Sequence, residues 1–283
     1  MSDRVVRLPE HATVEDSFEL IPLLAELEKE QNLVVLDASR TTRFDPFGVG
    51  MIASSVAIRT ASSRTTSLTI PGDSGARRFL KEIGFDRVCR GDPPQHGTLD
   101  MRQLHALDAT YTRDVVQLLV EGVPGVDEEN SYPIELCLNE LLQNVFEWGN
   151  SSVGCFVLAR WYRNTRSVRL AVVDRGDGIP SVIRRTQLHD LHRRADQDVI
   201  EAAVTVPNLT TRPNGVGGLG LKNIRDVVCQ RTGRLTIVSL AGRVSWRGSR
   251  RPRKGISPYF RGTAIEIDIR PAPFGTDHAS GIL

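Results

Sequence analysis

The chain has 283 residues, 40% hydrophobic and 25% charged, with a formal net charge of +2. These values are ordinary for a soluble protein of one or two domains, and the charge gives no argument for a nucleic-acid site. No stretch reaches about 18 apolar residues and no charged-then-apolar leader opens the chain, which predicts a cytoplasmic protein with no membrane partner. The four cysteines, Cys89, Cys137, Cys155 and Cys229, form no Cys-x-x-Cys pair and have no clustered histidines, so reduced thiols are expected and zinc is not.

The first ninety residues predict a small α/β domain. Leu33-Val-Val-Leu36 is a short apolar strand ending at Asp37. Phe47 to Arg59 has the spacing of a helix packed on a sheet. Ser67-Leu-Thr-Ile70 is a second strand, stopped by Pro71-Gly72, and Ala76 to Ile83 is a helix closed by Gly84. Strand and helix alternate, which implies parallel pairing. Arg90-Gly-Asp-Pro-Pro-Gln-His-Gly-Thr98 has the Gly and Pro content of a linker. The predicted boundaries are 1–90, a linker over 91–100, a second domain over 101–271 and a tail over 272–283.

In the second domain, Thr112 to Leu119 and Glu135 to Trp148 predict helices, and Val153 to Tyr162 with Val168 to Asp174 predict paired strands. Residues 181–214 form a long connection, and Arg234 to Ser239 and Thr263 to Ile269 are the last strands. The basic run Arg247-Gly-Ser-Arg-Arg-Pro-Arg-Lys254 is expected to be a solvated hairpin loop.

Four segments carry chemistry. On the helix ending at Trp148, Glu140 and Asn144 are four apart and so project from one face. An amide oxygen there can ligate Mg²⁺, and a carboxylate one turn away can polarise a nucleophile. The run Val172-Val-Asp-Arg-Gly-Asp-Gly-Ile-Pro180 is a buried strand ending in the carboxylate of Asp174, followed by a turn carrying Gly176 and Gly178 and then Ile179. A buried carboxylate needs a partner, and glycines beside it admit a flat ligand such as adenine. In Asn214-Gly-Val-Gly-Gly-Leu-Gly-Leu-Lys222, the glycines Gly217, Gly218 and Gly220 lead with Leu219, Leu221 and Lys222 into a helix, an arrangement that suits anions. It is neither a Walker loop nor a Rossmann fingerprint. Gly262-Thr263 opens the alternating run to Ile269. Taken singly, these segments also read as a solvated Glu-Asn pair, a polar strand end and a flexible glycine loop.

Together and in this order they resemble the Bergerat-fold site of the GHKL ATPase superfamily, over roughly residues 100 to 271. The resemblance implies ATP and Mg²⁺ as ligands. Asp174 would hold the adenine amine, with Gly176, Gly178 and Ile179 in the adjoining turn. Asn144 would hold the metal, and Glu140 would orient or activate the attacking group. Gly217, Gly218, Leu219, Gly220, Leu221 and Lys222 would form the end of a lid spanning 181–214, and Thr263 would support Asp174. Where several relatives carry His-Gly, this chain has Trp148-Gly149, and Gly217 beside Gly218 departs from strict glycine spacing. The first ninety residues are similar to STAS domains through Leu36-Asp-Ala-Ser39, Phe44-Asp-Pro-Phe-Gly-Val49 and Phe79-Leu-Lys-Glu-Ile-Gly-Phe85. Phe47 stands where regulatory members carry a phosphorylated serine.

The implied fold class is α/β: a STAS-like domain, then a two-layer α/β sandwich with a mixed sheet and helices on one face. The implied function is ATP-dependent phosphoryl transfer to a protein serine or threonine in an anti-sigma-like system, with a STAS or sigma-type protein partner. An ATP-dependent switch or slow ATPase without kinase activity is the alternative, and a homodimer stays open. A histidine kinase is the weakest reading, because His105 falls at a strand start with no helical hairpin before it.

Overall fold

The computed structural model describes residues 4–92, 100–123, 126–185, 191–206 and 220–270. In the N-terminal half, strands β1 (Arg4–Arg7), β3 (Val34–Asp37) and β5 (Thr66–Thr69) form a parallel sheet in the order β1-β3-β5, as the alternation of strands and helices predicts. A short parallel pair, β2 (His11–Ala12) and β4 (Arg43–Phe44), lies beside it. Helix α1 (Ser17–Lys29) buries Leu20, Ile21, Leu24 and Leu27, which recur at helical spacing and so share one face. Each contributes roughly 1.5–3 kcal/mol of burial. Helix α2 (Pro46–Ala61) begins at Asp45, whose carboxylate accepts from the Gly48 and Val14 amides at 2.8 Å each. Pro46 at the first helical position costs no hydrogen bond there. Helices α3 (Ser74–Glu82) and α4 (Phe85–Arg90) follow, separated at Gly84.

The C-terminal half is built on one five-stranded sheet: β6 (Arg102–Leu104), β7 (Cys155–Tyr162), β8 (Ser167–Asp174), β10 (Arg253–Ile269) and β9 (Arg234–Trp246), in that order. Every neighbouring pair is antiparallel, so the expected mixed sheet is corrected. Connectivity accounts for two of these pairs, since short links join β7 to β8 and β9 to β10, and short links can only reverse the chain. Helices α5 (Ala109–Gly122), α6 (Glu128–Asn144), α8 (Asp196–Thr205) and α9 (Gly220–Gln230) cover one face, burying Leu138, Leu142, Ile200 and Ile224 against Val172, Ile237 and Ile265. The seven-residue α7 (Ile179–Arg185) follows the turn after β8.

The opposite face is covered by the N-terminal half. Phe156, Leu158, Ala171, Val173, Val238 and Ala264 share one buried cluster with Leu20, Leu24, Val49 and Met51 of α1 and α2. Residues on the two faces alternate along each strand, as the pleat requires. Val172 faces α6 and α9, and Val173 faces α2. The sheet therefore has helices on both faces, which corrects the expected two-layer sandwich with helices on one face; α1 and α2 of the N-terminal half supply the second layer. Glycines let α2 approach closely: a Cβ at Gly50 would stand 2.7 Å from Cγ2 of Val173. Met101 follows the predicted linker, and its amide donates to the carbonyl of Ile83 at 3.0 Å. The linker residues 93–99 and the tail from residue 271 lie outside the described residues.

Candidate functional site

The strand register sets four side chains in a row across the end of the sheet. Cys155 pairs with Asp174, Asp174 with Thr263, and Thr263 with Ser239. All four share parity with the strand residues that face α6 and α9. Asp174 is 4% exposed. Its Oδ1 accepts from the Gly176 amide at 2.8 Å, and the backbone of Thr263 also bonds it. Burial pushes its carboxyl up to about 6, and these amides and the charge of Arg175 only partly offset that. Ser239 completes the row: its Oγ lies 3.1 Å from Thr263 Oγ1, donates to the Gly262 carbonyl at 2.8 Å and accepts from the Ile179 amide at 2.9 Å.

The turn after Asp174 is tight. A Cβ at Gly176 would fall 1.7 Å from the carbonyl oxygen of Gly149, the same oxygen that accepts from the Asp177 amide at 2.7 Å. Gly262 has φ +107°, and a Cβ there would meet the Asp174 carbonyl oxygen at 2.2 Å. Only glycine fits either place without moving the backbone. Gly178 is also left-handed, at φ +79°.

Helix α6 delivers the second group. It ends at Asn144 and continues as a π-helical turn, Val145–Gly149, of the kind frequent at functional sites. That turn places Gly149 against Gly176, and a Cβ on Gly149 would lie 3.6 Å from Asp174 Oδ1. Glu140 and Asn144 meet the start of α9. A Cβ at Gly220 would stand 2.3 Å from Glu140 Oε2 and 3.8 Å from Asn144 Nδ2. The Glu140 carboxylate thus lies at a helix N-terminus, where the dipole favours negative charge. Among the described residues, Asn144 Nδ2 is buried with no hydrogen-bond partner. Such a group costs roughly 1–3 kcal/mol unless a ligand satisfies it.

Comparison with protein-family models and with curated proteins gave no match for this chain. The site therefore stands on its geometry and on the sequence pattern.

Of the residues singled out by sequence, Asp174, Gly176, Gly178, Ile179 and Thr263 gather at the end of β8. Glu140, Asn144 and Gly220 gather at the junction of α6 and α9. The π-helical turn joins the two groups. Leu221 packs between the main core and the small cluster of Ile183, Val199 and Ala203. Lys222 lies one step further along α9 and bonds Asp226 at 2.7 Å. Gly217, Gly218 and Leu219 lie outside the described residues. Two cations of the adjoining segment are paired within the chain: Arg185 with Asp177 and Arg184 with Asp196, each at 2.7 Å. Arg251 and Arg253 of the basic run reach Glu201 and Asp198 on α8.

Sequence reasoning missed Ser239, Gly149 and Arg175. Gly149 had a signal, the glycine directly after Trp148. Ser239 had one too, as a hydroxyl ending the apolar run Leu235-Thr-Ile-Val238. Arg175 had none, because the position between Asp174 and Gly176 reads as a spacer.

Among the described residues no three His, Cys, Asp or Glu side chains cluster as a metal site. A hard ion would take the Asn144 amide oxygen together with oxygens of a bound phosphate and water, while the unpaired Nδ2 is a donor that a phosphate oxygen would satisfy.

Proposed function

We propose that the C-terminal half binds Mg²⁺ and ATP as GHKL proteins do and carries out phosphoryl transfer. The observation that carries this reading is a buried carboxylate at a strand end, joined through a π-helical turn to a helix that presents Glu140 and Asn144 to one glycine-led helix start. Asp174 accepts the adenine amine. Ser239 and Thr263 fix the strand ends beside it, so its free lone pairs face the ligand. Asn144 would hold Mg²⁺ through its amide oxygen and donate from Nδ2 to a phosphate oxygen, and the ion would supply neutralisation of phosphate charge. Glu140 accepts a proton from the incoming hydroxyl or water. The start of α9 offers backbone N–H groups to phosphate oxygens, and Lys222 adds charge if it exchanges Asp226 for them.

The acceptor in this proposal is a serine or threonine of another protein in an anti-sigma-like system. Phe47 and Asp45, at the segment where STAS regulators take phosphate, are 0% and 1% exposed. That segment packs into the shared core and offers no hydroxyl.

The test uses ATP labelled at the γ-phosphate, with Mg²⁺ and host lysate, beside a Glu140→Ala variant. The expected result is label on a protein band, lost in the variant. Label found only as free phosphate makes the protein a slow ATPase, and no turnover with retained binding makes it an ATP-dependent switch. Trp148, standing where several relatives carry a histidine, favours these two as the second reading.

A further inference from the structure

Asp174 and Arg175 are consecutive, and the pleat sends them to opposite sides of the sheet. Asp174 joins the row that faces α6. Arg175 crosses to the N-terminal half, where its Nη2 donates to Glu28 Oε2 of α1 at 2.5 Å. Its guanidinium lies 4.3 Å from the centroid of the Phe260 ring. The side chain is 2% exposed, and its Nε and Nη1 are buried with no partner among the described residues. The other oxygen of Glu28 accepts from Ser55 Oγ of α2 at 2.6 Å. One carboxylate thus ties both helices of the N-terminal half to the residue next to Asp174.

We propose that Glu28 and Arg175 are positioning residues for Asp174, a relay through which the N-terminal half sets how tightly the nucleotide site holds its ligand. The relay rests on the adenine-nucleotide reading above. A guanidinium in a dry site must have an anion. Two carboxylates act on this one, Glu28 and Asp174. Glu28 draws the guanidinium to the far face of the sheet and leaves Asp174 free for the ligand. Without the charge of Glu28, the unpartnered nitrogens turn to Asp174 and compete with the adenine amine. Without the guanidinium, Asp174 loses a cation that offsets its burial. The other charged or titratable groups facing this pair are Asp177 in the turn, Cys155 on β7 and Arg261 on β10.

The two changes therefore move the Asp174 titration in opposite directions, which a general loss of packing does not do. The experiment follows the Asp174 carboxyl carbon by NMR against pH in the nucleotide-free full chain. It also measures Mg·ATP binding by calorimetry in the same variants. Glu28→Gln, which keeps an acceptor for Ser55, is expected to lower the midpoint, and Arg175→Met to raise it, each by about one pH unit. Glu28→Gln is expected to weaken ATP binding about tenfold, the change that one pH unit of carboxylate stabilisation represents, and Arg175→Met to weaken it about twofold at about pH 7, where the raised midpoint leaves roughly half of Asp174 ionised. Arg175→Lys, which keeps the charge, is expected to return the midpoint most of the way. Midpoints that stay put, or that move the same way in Glu28→Gln and Arg175→Met, overturn the relay. If they stay put while wild type binds ATP and Asp174→Ala does not, the relay alone falls. If they move as stated but wild type binds no ATP, the link between the halves stands and the nucleotide reading falls.

Discussion

Asp174 is a carboxylate held where water does not reach, and it shows how a site can cost a fold stability. Its pKa is raised to about 6, from an ordinary value of 3.8. Below pH 3.8 it is protonated in folded and unfolded chains alike, and the fold keeps its full stability. As pH rises through 6 the folded chain must ionise a buried group, and that stability is lost. Asp174→Asn, which stays neutral, is expected to raise stability at pH 8 by about 1–3 kcal/mol. The gain should vanish near pH 4, and thermal unfolding at the two pH values checks both halves of this. Asp174 was legible in the sequence because an apolar strand ran straight into it and two glycines followed. Arg175 was not legible, since its partner Glu28 lies 147 positions away. A buried arginine has no meaning until its anion is known.

Among the elements, those with clean periodicity were legible. The predicted strand Val168 to Asp174 is β8 but for one residue, and Phe47 to Arg59 lies wholly within α2. Helix α1 was missed although Leu20, Ile21, Leu24 and Leu27 are correctly spaced, because Pro22 breaks the pattern. Helix α6 starts at Glu128, earlier than Glu135, and runs through Pro133 because its apolar face is held by the sheet. Strands β9 and β10 extend past the predicted ends into a long hairpin whose Arg251 and Arg253 are paired by α8. The seam between α2 and the sheet makes a prediction of its own. In Gly50→Ala the new methyl would stand 2.7 Å from Val173 Cγ2. Overpacking of this kind is expected to cost about 1–3 kcal/mol, seen as a lower urea midpoint. Adding Val173→Ala should return part of the loss, and a double-mutant cycle measures that coupling.

For the whole molecule, the central sheet is the inner layer of both halves. The sequence showed a boundary near residues 90–100 through its glycines and prolines. It also held a sign that the boundary does not separate two cores: Leu170-Ala-Val-Val173 is unbroken apolar, as strands covered on both faces are. Deleting residues 1–92 would uncover Phe156, Leu158, Ala171, Val173, Val238 and Ala264. The fragment is expected to lose cooperative unfolding and to bind a hydrophobic dye, while the full chain unfolds in one transition.

The same buried seam holds charge. Burial pushes Asp45 up to about 6 and Glu266 well above its ordinary value; the charge of Asp45 also raises Glu266, and that of Glu15 raises both. Their contribution is lost as pH rises. Glu15 goes the other way: burial works to raise it, but the hydrogen bond and charge of Arg234 hold it below its ordinary 4.5, so its contribution is lost as pH falls. Denaturant midpoints are therefore expected to be highest at about pH 4, to decline as pH rises through about 6, and to decline below about pH 4 as Glu15 protonates.

Calorimetric titration of the full chain with Mg·ATP, beside Asp174→Ala shown to be folded by circular dichroism, goes most directly to the site. Saturable, Mg²⁺-dependent binding to the wild type that disappears in the variant is the expected result. No binding to the wild type, or equal binding to both proteins, would contradict it.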